Sequence, residues 1–169
     1  MKFSKIRDVK SPQRGTELSA GIDFFVPKFT KEFKEDLFQK NLNSISFDDL
    51  EKNNIIILKP HNKILIPSGI KVNFTGEQNK ALVAFNKSGV ATKLGLDVMA
   101  CVIDQDYQGE IHISLINNTK KVVKIKEGDK IIQFLMLHIF YESIEEVSIN
   151  ELYNEITSRG EGGFGSTGK

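Results

Sequence analysis

A chain of 169 residues, 40% of them apolar, can bury one hydrophobic core and is short for two, so a single domain is expected. Its 23 basic and 22 acidic side chains leave a formal charge of +1, which excludes a whole-protein field that would gather nucleic acid or an anionic membrane; any anion must be captured locally. The single cysteine, Cys101, excludes an intrachain disulfide and thiolate-rich metal sites within one chain, and it fits a reducing, cytoplasmic setting.

The start, Met1-Lys2-Phe3-Ser4-Lys5, is basic but is followed by no apolar run, unlike a secretion signal, and no stretch reaches membrane-spanning length. Residues 28–54 carry a helical period: Phe29, Phe33 and Leu37 recur every four positions, Phe38 and Leu42 flank them, and Lys, Glu and Asp fill the gaps. Ser46, followed three residues later by Asp49, is placed to cap a second short helix through Leu50. The segment reads as a helical insertion in a β pattern. Packing on the β domain to cover an apolar face is the expected role; a lid or a protein-binding arm is the alternative.

Strands are expected at 55–58, 63–66, 70–74, 80–85, 110–116, 122–125 and 130–139, where Ile, Val, Leu and Phe cluster. Pro60, Pro67-Ser68-Gly69 and Glu127-Gly128-Asp129 punctuate them as tight turns, so a mostly β sandwich or barrel is favoured, with a jelly roll among the solutions. Cys101 lies in Met99-Ala100-Cys101-Val102-Ile103 and is expected to be a small buried hydrophobe without chemistry. His61, His112 and His138 have no metal-ligand spacing. The expected division is a β domain over 1–158 and a mobile arm over 159–169.

Several clusters carry chemistry. Asn86-Lys87-Ser88-Gly89 brings a cation, a hydroxyl and a flexible amide to the end of a strand, a set able to hold phosphate. Residues 100–110 run from an apolar strand into Asp104-Gln105-Asp106-Tyr107-Gln108-Gly109, which reads as a hairpin with a loaded tip. Asp104, beside the apolar strand, can orient and deprotonate a water. The tail from Arg159 to Gly168 holds five glycines, whose amides can approach an anion closely; Arg159, Ser166 and Thr167 add phosphate donors, and Phe164 offers a flat face for a base.

With Ala20-Gly21-Ile22-Asp23-Phe24 before them and Gly128-Asp129-Lys130-Ile131-Ile132-Gln133 between the hairpin and the tail, these clusters resemble, in order and spacing, the five motifs of the homotrimeric dUTP pyrophosphatases. The resemblance implies a jelly-roll or β-clip fold, a threefold trimer with active sites shared among chains, and hydrolysis of dUTP with Mg2+ bridging the phosphates. It implies that Asp104 orients the attacking water, that Tyr107 stacks under the sugar and excludes ribose, and that the backbone from 97 to 111, Val98 included, reads uracil. Lys87, Ser88, Gly89 and Gln133 would hold the α- and β-phosphates, and Arg159, Gly165, Ser166 and Thr167 the γ-phosphate, with Phe164 over the base and Asp23 and Asp106 in support.

Three departures qualify the resemblance: Lys87 and Lys130 stand where arginine is usual, and Cys101 where glycine is usual. The insertion at 28–54 replaces a short connection. The related dCTP deaminases carry a glutamate where this chain has Ser114, so proton transfer to a cytosine amine lacks an agent. A fold-sharing protein that only binds a partner would not need Asp104, Tyr107, Gln133 and Arg159 together.

Overall fold

A computed structural model describes residues 1–42, 44–76 and 79–163. In chain order the elements begin with β1 (Lys2–Lys5), β2 (Gln13–Arg14), β3 (Ile22–Phe25), α1 (Lys31–Lys40), α2 (Phe47–Asn53), β4 (Ile56–Leu58), β5 (Lys63–Pro67) and β6 (Ile70–Asn73). They continue with β7 (Lys80–Phe85), α3 (Ser88–Leu94), β8 (Leu96–Val98), β9 (Val102–Ile103), β10 (His112–Asn117), β11 (Val123–Ile125), β12 (Lys130–His138) and α4 (Ile149–Leu152). All strand pairs are antiparallel: a five-stranded sheet ordered β2-β3-β12-β7-β9, a three-stranded sheet β5-β10-β8, and the ribbons β1-β6 and β11-β4. The fold is mostly β and jelly-roll-like, as expected.

Side-chain alternation drives this arrangement. Along β10, Ile113 and Leu115 face inward and are buried, while His112 and Ser114 face the other way. β12 breaks the rule usefully. A register shift between Lys130 and Ile132 lets the consecutive Ile131 and Ile132 both enter the core, and it turns Gln133 away from it. Phe134 then meets Phe24 of β3 across the pair, with ring centroids 4.5 Å apart.

The insertion folds as its periodicity predicts. Thr30 caps α1 by accepting from the Phe33 amide, and Ser46 caps α2 by accepting from that of Asp49. Phe33, Leu37 and Leu50 are essentially buried, and each stabilises the fold by about 1.5–3 kcal/mol. Asn41, at the end of α1, locks the helix to β5: its Nδ2 donates to the Leu65 carbonyl at 2.9 Å and its Oδ1 accepts from the Leu65 amide at 2.8 Å. The segment covers an apolar face.

Three local expectations change. The stretch after β7 is a helix, α3, which low-propensity Gly89, Val90 and Thr92 did not announce; it ends on Gly95 with φ 64°. The hairpin is open: β8, not β9, pairs with β10, and β9 crosses to pair with β7. Cys101 is exposed rather than buried, because β9 is the outer strand of its sheet, where Val102 is exposed as well.

Candidate active site

β12 joins three of the motifs by register. Gln133 lies opposite Asp23 of β3 on one side and Phe85, the last residue of β7, on the other. Its Nε2 donates to the Asn86 carbonyl at 2.8 Å. Gly21 makes room for this side chain, since a Cβ there would fall 2.2 Å from Gln133 Oε1. Asp23 is buried and meets a lysine at each oxygen: Lys87 Nζ donates to Oδ1, and Lys130 Nζ is 3.4 Å from Oδ2. Both lysines at the positions that depart from the motif pattern are thus engaged by one carboxylate, which compensates its burial.

Asn86 ties this corner to the next strand. Its Nδ2 donates to Asp97, and its Oδ1 accepts from the Val98 amide at 2.9 Å, so that amide already has a partner. Ser88 and Gly89 open α3 and are exposed; the first amides of a helix have no partners within it and suit an anion.

The second group is built on the wide loop between β8 and β10. The Tyr107 amide donates to the Asp104 carbonyl at 3.2 Å, closing a turn, and the Tyr107 hydroxyl donates to the Glu110 carbonyl at 2.9 Å. Gly109 is required beneath the ring, because a Cβ would sit 2.2 Å from the Tyr107 hydroxyl oxygen. Gln105 anchors the turn by accepting from the Lys80 amide at 3.3 Å, while Asp104 and Asp106 stay exposed. A cleft of about 300 Å3 lies alongside, lined by Val102, Ile103, Asp104, Tyr107, His112 and Ser114 among others. A second, of about 660 Å3, opens between Thr75, Asp104, Asp106 and Tyr141. An apolar wall with a carboxylate and a tyrosine at its rim can take a flat ring and a sugar and present a base to a water.

No hydrogen bond or ion pair among the described residues joins Asp104 or Tyr107 to Lys87, Ser88, Gln133 or Arg159. Arg159 is exposed and donates from Nε to the Gly162 carbonyl at 2.8 Å. Phe164, Gly165, Ser166 and Thr167 lie outside the described residues. Among the described residues, no group of three or more His, Cys, Asp or Glu side chains is placed to cage a metal ion, and no helix is long and apolar enough to cross a membrane.

The sequence model of the dUTPase family matches residues 34–168, which include four of the five motifs. The chain belongs to the dUTPase family. Family relatives are similar over different spans. A deoxyuridine 5'-triphosphate nucleotidohydrolase of Candida albicans is 51% identical over 83 residues, 49% of this chain and 51% of its own length. The chain spans about half the length of several of the curated relatives it matches. The enzyme of the same name from Paramecium bursaria Chlorella virus 1 is 35% identical over 163 residues, covering 96% of this chain and 93% of its own. Among solved structures, the Staphylococcus bacteriophage 80alpha dUTPase with dUPNHPP superposes with a TM-score of 0.70 over 99% of this chain and 98% of its own, at 19% identity, a likeness of fold.

Sequence reasoning missed the residues that hold the motifs rather than compose their chemistry. Asn86 was in view as the head of its motif and Val98 as part of the backbone expected to read uracil, but the strand β8 that brings Asp97 and Val98 to Asn86 gave no signal. Arg7 was not singled out, yet it forks onto the Glu110 carboxylate from 103 residues away. Burial works against the Glu110 charge, but Arg7 and the Gly69 amide prevail and hold its carboxyl below the usual range.

Proposed function

We propose that this chain hydrolyses dUTP to dUMP and pyrophosphate, limiting uracil incorporation into DNA and supplying dUMP. The observation that carries the reading is the turn in which Tyr107 folds over Gly109 onto the Glu110 carbonyl, beside an apolar cleft with Asp104 at its rim, in a chain of the dUTPase family. The cleft takes uracil; Tyr107 lies against the deoxyribose and leaves no space for a 2'-hydroxyl. Asp104 accepts a proton from the water that attacks the α-phosphorus, and the P–O bond to the β-phosphate breaks, releasing pyrophosphate.

Ser88, Gly89 and Gln133 hold the α- and β-phosphates, with Lys87 and Asp23 as the charged support beneath them, and Asp106 supports the turn. The arm, through Arg159, Phe164, Gly165, Ser166 and Thr167, closes over the γ-phosphate and base. Exposed, hard oxygen donors and the room around them suit Mg2+ held by substrate phosphates and water, where it offsets charge on the triphosphate. The working unit is a homotrimer. Along β7, Gln133 lies opposite Phe85 whereas Ile103, next to Asp104, lies opposite Leu82, and this offset within one chain supports sites shared between chains, as does the exposed apolar run of Phe140, Tyr141, Ile144 and Ile156. The insertion's buried apolar face leaves its charged outer side as the surface for any protein partner. The reading places the enzyme in the cytoplasm.

The test is pyrophosphate release from dUTP, dTTP, dCTP and UTP with Mg2+, at a concentration where light scattering shows a trimer. Release from dUTP alone is expected. Silence on all four from a confirmed trimer would overturn the reading in favour of a protein that acts by binding.

A further inference from the structure

We propose that the inserted helix α1 positions the nucleoside side of the active site through Asp36, Arg7 and Glu110, so that sugar selection by Tyr107 depends on the insertion. The proposal rests on the dUTP reading above and adds to it a positioning relay outside the motifs.

Glu110 lies just before β10 begins at His112, so no strand ladder fixes it. Its carboxylate is fixed instead. Arg7 Nε donates to Oε1 at 2.8 Å and Nη2 to Oε2 at 3.0 Å, a two-pronged grip that sets both distance and plane. The Gly69 amide donates to the same Oε1 at 2.7 Å. The Glu110 carbonyl, thus held in place, accepts from the Tyr107 hydroxyl and lies 2.9 Å from His112 Nδ1. Tyr107 is therefore aimed by an acceptor whose own position is set by Arg7.

Arg7 is in turn held by the insertion. Its Nη2 donates to Asp36 of α1 at 2.5 Å, and its guanidinium lies 6.0 Å from the centroid of the buried Phe33 ring on the same helix. Lys40, one turn on, pairs with the other Asp36 oxygen. The side chains of Arg7, Glu110 and Asp36 are only 20%, 11% and 26% exposed, so water is a poor substitute for any partner removed. Space is tight as well. Gly69 has φ +74°, and a Cβ there would fall 2.9 Å from Arg7 Cβ.

The experiment compares kcat/KM for dUTP with that for UTP in the full chain, as the trimer, for the wild type, Arg7→Met, Arg7→Lys, Glu110→Gln and Asp36→Asn. The ratio of the two values cancels the fraction of active enzyme, so a variant that merely folds less well leaves it unchanged. A displacement of about 1 Å at a reacting site can cost roughly 100-fold, so Arg7→Met and Glu110→Gln should erode discrimination by about 10-fold or more. Arg7→Lys keeps the charge without the fork and should restore part of it. Asp36→Asn leaves the Arg7–Glu110 grip intact and should lower the ratio by a smaller factor. Asp48→Asn, which breaks the exposed Lys52–Asp48 pair on α2, should leave it at the wild-type value. If Arg7→Met does not fold, Glu110→Gln and Asp36→Asn decide. A wild-type ratio in both overturns the relay while leaving the dUTP reading intact. A wild type inactive on dUTP overturns that reading and the relay with it.

Discussion

The insertion at 28–54 and the stretch after β12, both outside the β framework, treat their apolar side chains in opposite ways. The insertion at 28–54 turns Phe33, Leu37 and Leu50 inward until almost nothing of them is exposed. The stretch after β12 carries Phe140, Tyr141, Ile144, Ile149, Tyr153 and Ile156, and leaves them 64–101% exposed. The first segment completes its packing within its own chain. The second presents an apolar surface that needs covering, which the trimer reading assigns to a neighbouring protomer. Looking like an addition and being independent of the site are therefore different things: the insertion belongs to the core, and the terminal stretch is the part that reaches outward.

Substitutions in the outward segment should act on assembly itself. Ile144→Asp combined with Ile156→Asp should abolish the trimer in light scattering and, with the shared sites gone, lower dUTP turnover by more than about 100-fold. Retained assembly and turnover would show that this stretch needs no partner. Asp104→Asn touches neither segment; it should lower turnover by about 100- to 10,000-fold while leaving trimer and melting curve unchanged. Leu37→Ala strikes the inward segment and should cost about 2–5 kcal/mol in denaturant unfolding, with the trimer retained. A cost near zero would mean that the helix is dispensable to the core.

The smallest expected effect is on acid stability. Burial opposes the charges of Glu110 and Asp36, but Arg7 helps hold both carboxyls below their ordinary values of 4.5 and 3.8, with Lys40 and the Gly69 amide contributing. A carboxyl lowered in the folded state contributes stability that is present above its ordinary value and lost as pH falls through the folded-state value. Melting temperature should therefore fall on acidification below about pH 4, and the fall should be shallower in Asp36→Asn. Equal slopes in the two proteins would remove Asp36 from the linkage.

Much of this was legible in the chain because its causes are local. Apolar runs marked seven strands, the Phe29, Phe33 and Leu37 spacing marked α1, and Ser46 three residues before Asp49 marked the start of α2. The fourth motif was visible as a string, though the bulge that makes sense of Ile131-Ile132-Gln133 was not. Short strands such as β8 and β9 have too few residues to show a period. The crossing of β9 to β7, which opens the hairpin and exposes Cys101, is decided by which sheet edge is nearest in space.

The sequence by itself determined the β class, the helical insertion with its caps, and the order of motifs that marks the family, because periodicity, turn chemistry and short strings are properties of neighbours along the chain. Only the tertiary structure decided that Lys87 and Lys130 converge on Asp23, that Gly21 and Gly109 exist to admit the side chains of Gln133 and Tyr107, and that Arg7 grips Glu110. All but the Gly109–Tyr107 pair join residues far apart in the chain, 103 positions for Arg7 and Glu110. They depend on strand register and on the close approach of separate elements, which no local pattern encodes.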